Sequence, residues 1–225
     1  MTIEYNLNKI RSLLPSGVQL VAVSKTKSNE EILEAYRAGQ RIFGENKVQE
    51  LVRKWELLPK DIEWHFIGHL QSNKVKLIAP FIAMVHSVDS DKILKTINEE
   101  GGKAGRIIPC LLQFHIASEE SKFGFLPGSF GQMFSSSELD KLKHVVISGV
   151  MGMATYTDDV VQVNKEFSTL REIFRNLKID FFPDNDRFCE ISMGMSGDYL
   201  LAIENGSTMI RVGSTIFGER SNIGI

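Results

Sequence analysis

Cysteine is scarce in this chain: Cys110 and Cys189 are the only two in 225 residues. A disulfide-stapled scaffold is excluded, and no second cysteine stands at CxxC spacing to begin a zinc site. Both lie in apolar runs and are expected to be buried thiols in a reducing compartment. Long hydrophobic runs are missing too. No stretch of roughly 18 apolar residues is present to span a bilayer. The first ten residues carry Glu4, Asn6 and Asn8 where a secretory signal needs an apolar segment. A cytoplasmic protein with no membrane partner is expected. Nor is there an excess of one charge. The formal net charge is -2 and the pI about 6.2, which gives no broad basic footprint for nucleic acid.

Several catalytic signatures are absent. No glycine-rich loop ends in Gly-Lys-Ser or Gly-Lys-Thr, so there is no P-loop. Gly194-Met195-Ser196 lacks the second glycine of a nucleophile elbow, because Asp198 stands there. His65 and His69 are four apart, but on a strand-to-loop segment rather than one helix face, and no metal site is expected. Asn205-Gly206-Ser207 matches a glycosylation acceptor, yet without a secretory route it reads as a turn.

What is present is a composition of 43% hydrophobic and 24% charged residues, typical of one soluble globular domain over 1–225. Short β-type runs alternate with helical patterns throughout. Strands are expected at 18–23, 41–43, 64–68, 82–87, 107–115, 145–150, 188–193 and 209–212. Helices are expected between them at 29–38, 47–58, 73–79, 89–103, 160–177 and 199–205. The stretch 124–137, rich in Gly, Ser and Phe, reads as a loop leading into a short helix near 137–142. Eight β/α units without a composition break predict a single (β/α)8 TIM barrel with an extra N-terminal helix.

A barrel of this type places its chemistry at the C-terminal ends of the strands. Polar residues gather at those ends: Ser24-Lys25-Thr26-Lys27, Gly44-Glu45-Asn46, Gly68-His69, the segment from Ser192 to Asp198, and Gly213-Ser214. Lys25 follows an apolar strand, so its stem emerges from the barrel core. One reading is a lysine snorkelling to solvent. The other is a partly desolvated amine suited to a Schiff base. The loops at Ser192 to Ser196 and at Gly213-Ser214 follow strands seven and eight, the usual phosphate position in such barrels. Their glycines let backbone N–H groups approach an anion, and their serines offer hydroxyls. Two plain flexible loops remain the other reading.

These segments carry a resemblance. Val21-Ala-Val-Ser-Lys-Thr-Lys27, Gly39-Gln-Arg-Ile-Phe-Gly-Glu-Asn46 with Val48-Gln-Glu50, and Trp64-His-Phe-Ile-Gly-His-Leu-Gln71 come first. Glu120-Ser-Lys-Phe-Gly124, Ser192-Met-Gly-Met-Ser196 and Gly206-Ser-Thr-Met-Ile-Arg-Val-Gly-Ser214 through Gly218 follow in order. Together the chain resembles the pyridoxal phosphate homeostasis (YggS/PROSC) family, whose members look like the barrel domain of alanine racemase standing alone. The resemblance implies pyridoxal 5′-phosphate (PLP) held as an internal aldimine on Lys25. It implies a cofactor site from Lys25, Asn46, Ser192, Met193, Met195, Ser196, Arg211, Gly213 and Ser214. Within that site Asn46 would line the ring, Arg211 would face the pyridine nitrogen, and the two loops would hold the phosphate. Lys122 would border the mouth. Phe114-His115 and the stretch to Ser137 depart from the family pattern.

The function implied is carrying or buffering PLP, in the service of vitamin B6 and amino-acid homeostasis, with no catalytic residues. The implied partners are PLP and apo forms of PLP-dependent enzymes. A cationic arginine at the pyridine nitrogen makes a weak electron sink. The chain stops at Ile225, which leaves no room for the domain that supplies the racemase's second acid/base and its dimer contact, so a monomer is expected. The alternatives are a low-activity PLP-dependent amino-acid racemase, and a structural barrel without cofactor that would leave Lys25 and the two loops unexplained.

Overall fold

A computed structural model of the chain describes residues 2–119, 123–133 and 135–218. A first helix, α1 (Ile3–Arg11), is capped by the Thr2 hydroxyl, which accepts from the Tyr5 N–H. Then come β1 (Gln19–Val23), α2 (Asn29–Arg37), β2 (Ile42–Glu45), α3 (Val48–Leu57), β3 (Glu63–Phe66), α4 (Ser72–Ile78), β4 (Met84–Val88), α5 (Asp91–Lys103) and β5 (Ile108–Gln113). The second half holds the short helices α6 (Phe130–Met133) and α7 (Ser136–Leu139), then β6 (Val145–Met151), α8 (Val160–Asp180), β7 (Glu190–Ser192), α9 (Tyr199–Glu204), β8 (Met209–Val212) and α10 (Ser214–Phe217). All pairings are parallel, and β8 returns to pair with β1, so the sheet closes in sequence order. This is the expected (β/α)8 barrel with its extra N-terminal helix.

Local signals explain the boundaries. Ser28 and Glu31 form a reciprocal capping box that starts α2. Asp159 accepts from the N–H groups of Val161 and Gln162 and starts α8. Gly206, at φ +91°, turns the chain after α9, as the turn reading of 205–207 required.

The pleat divides the buried residues into two cores. Leu20, Ala22, Cys110, Leu112, Ile210 and Val212 join the apolar layer between sheet and helices. Their strand neighbours Val21, Val23, Leu111, Met151 and Met209 are equally buried but lie outside that layer, in the lumen. Each fully buried aliphatic side chain in either core contributes about 1.5–3 kcal/mol.

Two expectations need correction. Cys189 is exposed, although Phe188 before it is buried and its own N–H donates to the Ser148 carbonyl of β6; its thiol points to the Arg187 carbonyl. Cys110 is buried as expected, and burial pushes its thiol pKa well up. The 124–137 stretch holds an extra helix, α6, with Phe130 packed edge-on against Phe125 and Phe181. After the β8 loop, Ser214 opens the short helix α10.

Candidate functional site

Because all eight strands run parallel, the residues that follow them share one end of the barrel. Lys25 lies two residues past β1 and is half-buried, and Asn46, half-buried, directly follows β2. The loops after β7 and β8 meet: the Gly213 N–H donates to Ser196 Oγ at 3.2 Å. Gly213 also lies against the end of β1, where a Cβ would stand 3.1 Å from the Val23 carbonyl oxygen. A larger residue there fits only if Val23 gives way by a few tenths of an ångström. Gly194, at φ +94°, admits no side chain, since a Cβ would come within 2.6 Å of Ala202 Cβ. Met195 and Ser196 are half-buried at the rim, and Ser214 is exposed.

Ser192 and Met193 lie deeper, both fully buried. The Ser192 hydroxyl does not open to the rim. It accepts from Arg211 Nη1 at 2.6 Å and lies 3.0 Å from His86 Nδ1. Arg211 Nη2 donates to the Gly152 carbonyl at 3.0 Å, and His86 Nε2 lies 2.9 Å from His65 Nδ1. A polar layer thus crosses the lumen from β8 through β7 and β4 to β3. Burial pushes His65 down to about 3. It also pushes His86 well below the ordinary imidazole range, with His65 and Arg211 adding to the effect. Both rings are neutral at physiological pH. Burial lowers Arg211 to about 10, so the guanidinium keeps its charge.

A second buried network backs Lys25. Lys54, on the inner face of α3, donates to Glu45 Oε1 at 2.7 Å, to Glu50 Oε1 at 2.6 Å and to the Ser24 carbonyl at 2.8 Å. The Ser24 hydroxyl donates to the same Glu45 oxygen at 2.6 Å. Lys54 and Glu45 are 1% and 0% exposed, so neither charge has water to replace its partner. Burial raises the Glu45 pKa, against the pull of Lys54 and Ser24.

His65 and His69 take separate partners. His69 stands at the rim, 2.8 Å from Asp89, and its ring stacks on Phe123 at 4.0 Å. Beside it a cavity of about 160 Å³ is lined by Asn46, Lys47, Phe66, Gln71 and Lys74. A larger one, about 490 Å³, lies at the opposite end of the barrel, where β6 begins, among Leu139, Val145 and Phe181, away from the strand-end chemistry. Lys122 lies outside the described residues. Among the described residues no cluster of three His, Cys, Asp or Glu side chains is placed to hold a metal ion. No described helix is long and apolar enough to cross a membrane.

Sequence reading missed His86, Lys54 and the Gly152 carbonyl. Lys54 had a signal: it falls on the helical period of Val48 and Leu51, a charge on the face that must be buried. His86 and Gly152 had none, because only barrel closure brings them to Ser192 and Arg211.

The profile of the alanine racemase N-terminal domain family matches residues 1–221. A protein of Pasteurella multocida called pyridoxal phosphate homeostasis protein is 38% identical over 233 residues, 98% of each chain. The chain belongs to the pyridoxal phosphate homeostasis family, within the alanine racemase N-terminal domain family. A solved relative, PipY of Synechococcus elongatus, is 37% identical. Its structure without PLP superposes with a TM-score of 0.90, over 96% of this chain and all of that one. The structure of PipY with PLP bound gives 0.87 over the same shares. Alanine racemase of Clostridium difficile shares the fold at a TM-score of 0.77 and 16% identity, over 99% of this chain and 57% of its own.

Proposed function

We propose that the protein binds PLP, with Lys25 as its covalent anchor, and carries or buffers it for vitamin B6 and amino-acid homeostasis. The observation that carries this reading is the Gly213 N–H to Ser196 Oγ bond. It draws two Gly/Ser loops together beside the end of β1, so that an anion cradle and a strand-end lysine share one mouth. The residues fit the group. Gly197 has open space where a Cβ would be, Ser196 and Ser214 offer hydroxyls, and Gly213 allows close approach of backbone. PLP supplies an aldehyde that captures amines and a ring that withdraws electrons.

Each residue then has a task. The Lys25 amine condenses with the aldehyde, forming a C=N bond and releasing one water, with no redox partner. Ser196, Ser214 and the neighbouring N–H groups hold the phosphate, and Met195 and Asn46 border the ring. Arg211 faces the pyridine nitrogen. Ser192 and Met193 act from below, with Ser192 and Gly152 fixing the guanidinium. A fixed cation there disfavours protonation of the ring nitrogen and weakens the electron sink, which suits a carrier better than an enzyme. The half-buried Lys25 and exposed Ser214 leave the mouth accessible to apo enzymes that would receive the cofactor. The cysteines are unpaired, and a cytoplasmic setting is part of the same proposal.

The test is addition of PLP to the purified protein, followed by assay with L- and D-alanine. The account expects a band near ~420 nm, the property of a pyridoxal group linked to an amine, and no racemisation. Sustained turnover would replace the carrier reading with that of a slow racemase.

A further inference from the structure

The residues flanking Lys25 are held in a conformation that their own sequence does not favour. The Lys27 N–H donates to the Ser24 carbonyl at 3.0 Å, closing a β-turn with Lys25 and Thr26 at its centre. Thr26 occupies the third position of that turn at φ +66°, and it is the one non-glycine residue at positive φ among the described residues. Glycine ordinarily fills such a position, and a β-branched side chain is strained there. The strain must be offset by surrounding contacts.

Those contacts come from α3. Glu50 Oε1 accepts the Thr26 N–H at 2.7 Å, the residue directly after Lys25. Lys54 donates to the Ser24 carbonyl at 2.8 Å, the residue directly before it. The two side chains bond each other at 2.6 Å. Glu45 anchors Lys54 from β2 and also accepts the Ser24 hydroxyl. Both peptide neighbours of Lys25 are thus tied to one hydrogen-bonded unit whose side-chain hydrogen bonds, among the described residues, go to neither Gly/Ser loop. We propose that Glu50 and Lys54 are positioning residues for Lys25: they hold the strained turn in the one geometry that presents its amine to the cofactor aldehyde.

The inference rests on the proposed role of Lys25, and its test separates the two. PLP and pyridoxamine 5′-phosphate share ring and phosphate, but only PLP can condense with a lysine. Their affinities are measured for wild type, Glu50→Ala, Glu50→Gln and Lys54→Met, by the ~420 nm band for PLP and by protein fluorescence for pyridoxamine 5′-phosphate. Glu50→Ala and Lys54→Met are expected to weaken covalent PLP capture about 10- to 100-fold, as misplacement of a reacting group does, and to change pyridoxamine 5′-phosphate binding less than ~2-fold. Glu50→Gln retains an oxygen for the Thr26 N–H and is expected to restore capture to within ~3-fold of wild type. Unchanged capture in Glu50→Ala, or equal loss of both ligands, overturns the positioning role while leaving Lys25 as anchor. A wild type that binds pyridoxamine 5′-phosphate but captures no PLP overturns both.

Discussion

Ser196 and Ser214 differ in what else they do, and this sharpens their substitution. Ser214 is exposed, so Ser214→Ala removes a hydroxyl and little more. Ser196 also receives the Gly213 N–H, so Ser196→Ala loosens the joint between the two loops. A charge-assisted hydrogen bond is worth about 1.5–3 kcal/mol, so each change should weaken PLP binding about 10- to 100-fold. Pyridoxal, without the phosphate, should be nearly indifferent to both. Equal losses for the two ligands in a titration would remove these serines from the phosphate site. Arg211 was legible in the sequence only through resemblance. Its setting shows why a carboxylate cannot replace it: Arg211→Glu would face the Gly152 carbonyl and leave it without a donor in a dry lumen. Arg211→Met leaves the Gly152 carbonyl unpaired, at about 1–3 kcal/mol, and Ser192 with His86 as its remaining partner, which thermal melting of the apoprotein should register.

At the level of elements, the lumen layer ties stability to pH. His65 and His86 are neutral in the fold, their pKa values driven down by burial, while in the unfolded chain each titrates near ~6.5. Below that value the unfolded state binds protons that the folded state refuses. Their contribution is therefore fully present above about pH 6.5 and is lost as pH falls toward the folded values, by up to about 1.4 kcal/mol per pH unit for each ring. Urea unfolding at pH 7 and pH 5 should show a steeper loss for wild type than for His65→Gln. Identical slopes would mean that the ring titrates in the fold as it does in the unfolded chain. The β6–β7 pairing makes a second demand. A Cβ on Gly149 would lie 1.8 Å from the Glu190 carbonyl oxygen, so Gly149→Ala should cost roughly 4 kcal/mol or more and be seen as a collapse in melting temperature.

The elements themselves were largely legible, because local signals mark them. The Ser28-Glu31 box, the 3.6-residue period of α8 and the strand-helix alternation need no tertiary information. Cys189 was misjudged because its apolar neighbours Phe188 and Ile191 are buried while its own side chain faces outward between them. The split between outer layer and lumen was not readable, since an alternation such as Leu20-Val21-Ala22-Val23 is apolar on both faces. The lumen layer was hidden for another reason: its partners come from strands far apart in sequence and meet only on closure, whereas the α3 network showed in the sequence only as a lysine on the buried face of α3.

For the whole molecule, closure of eight parallel strands converts scattered strand-end residues into one mouth, and the function proposed for the chain depends on Lys25 being the amine there. A bound cofactor stabilises only the folded state. PLP at about 100 times its dissociation constant should therefore add about 2.7 kcal/mol to apparent stability, and Lys25→Ala should lose much of that gain. Competing amines are placed differently: Lys27 Nζ is engaged with the Phe217 carbonyl at 3.0 Å and with Glu31 at 3.3 Å. Lys54 is sealed between two carboxylates. The most direct measurement is borohydride reduction of the PLP-loaded protein followed by peptide mapping. The account predicts the pyridoxyl label on Lys25 and its disappearance in Lys25→Ala; a label found mainly on another lysine would contradict it.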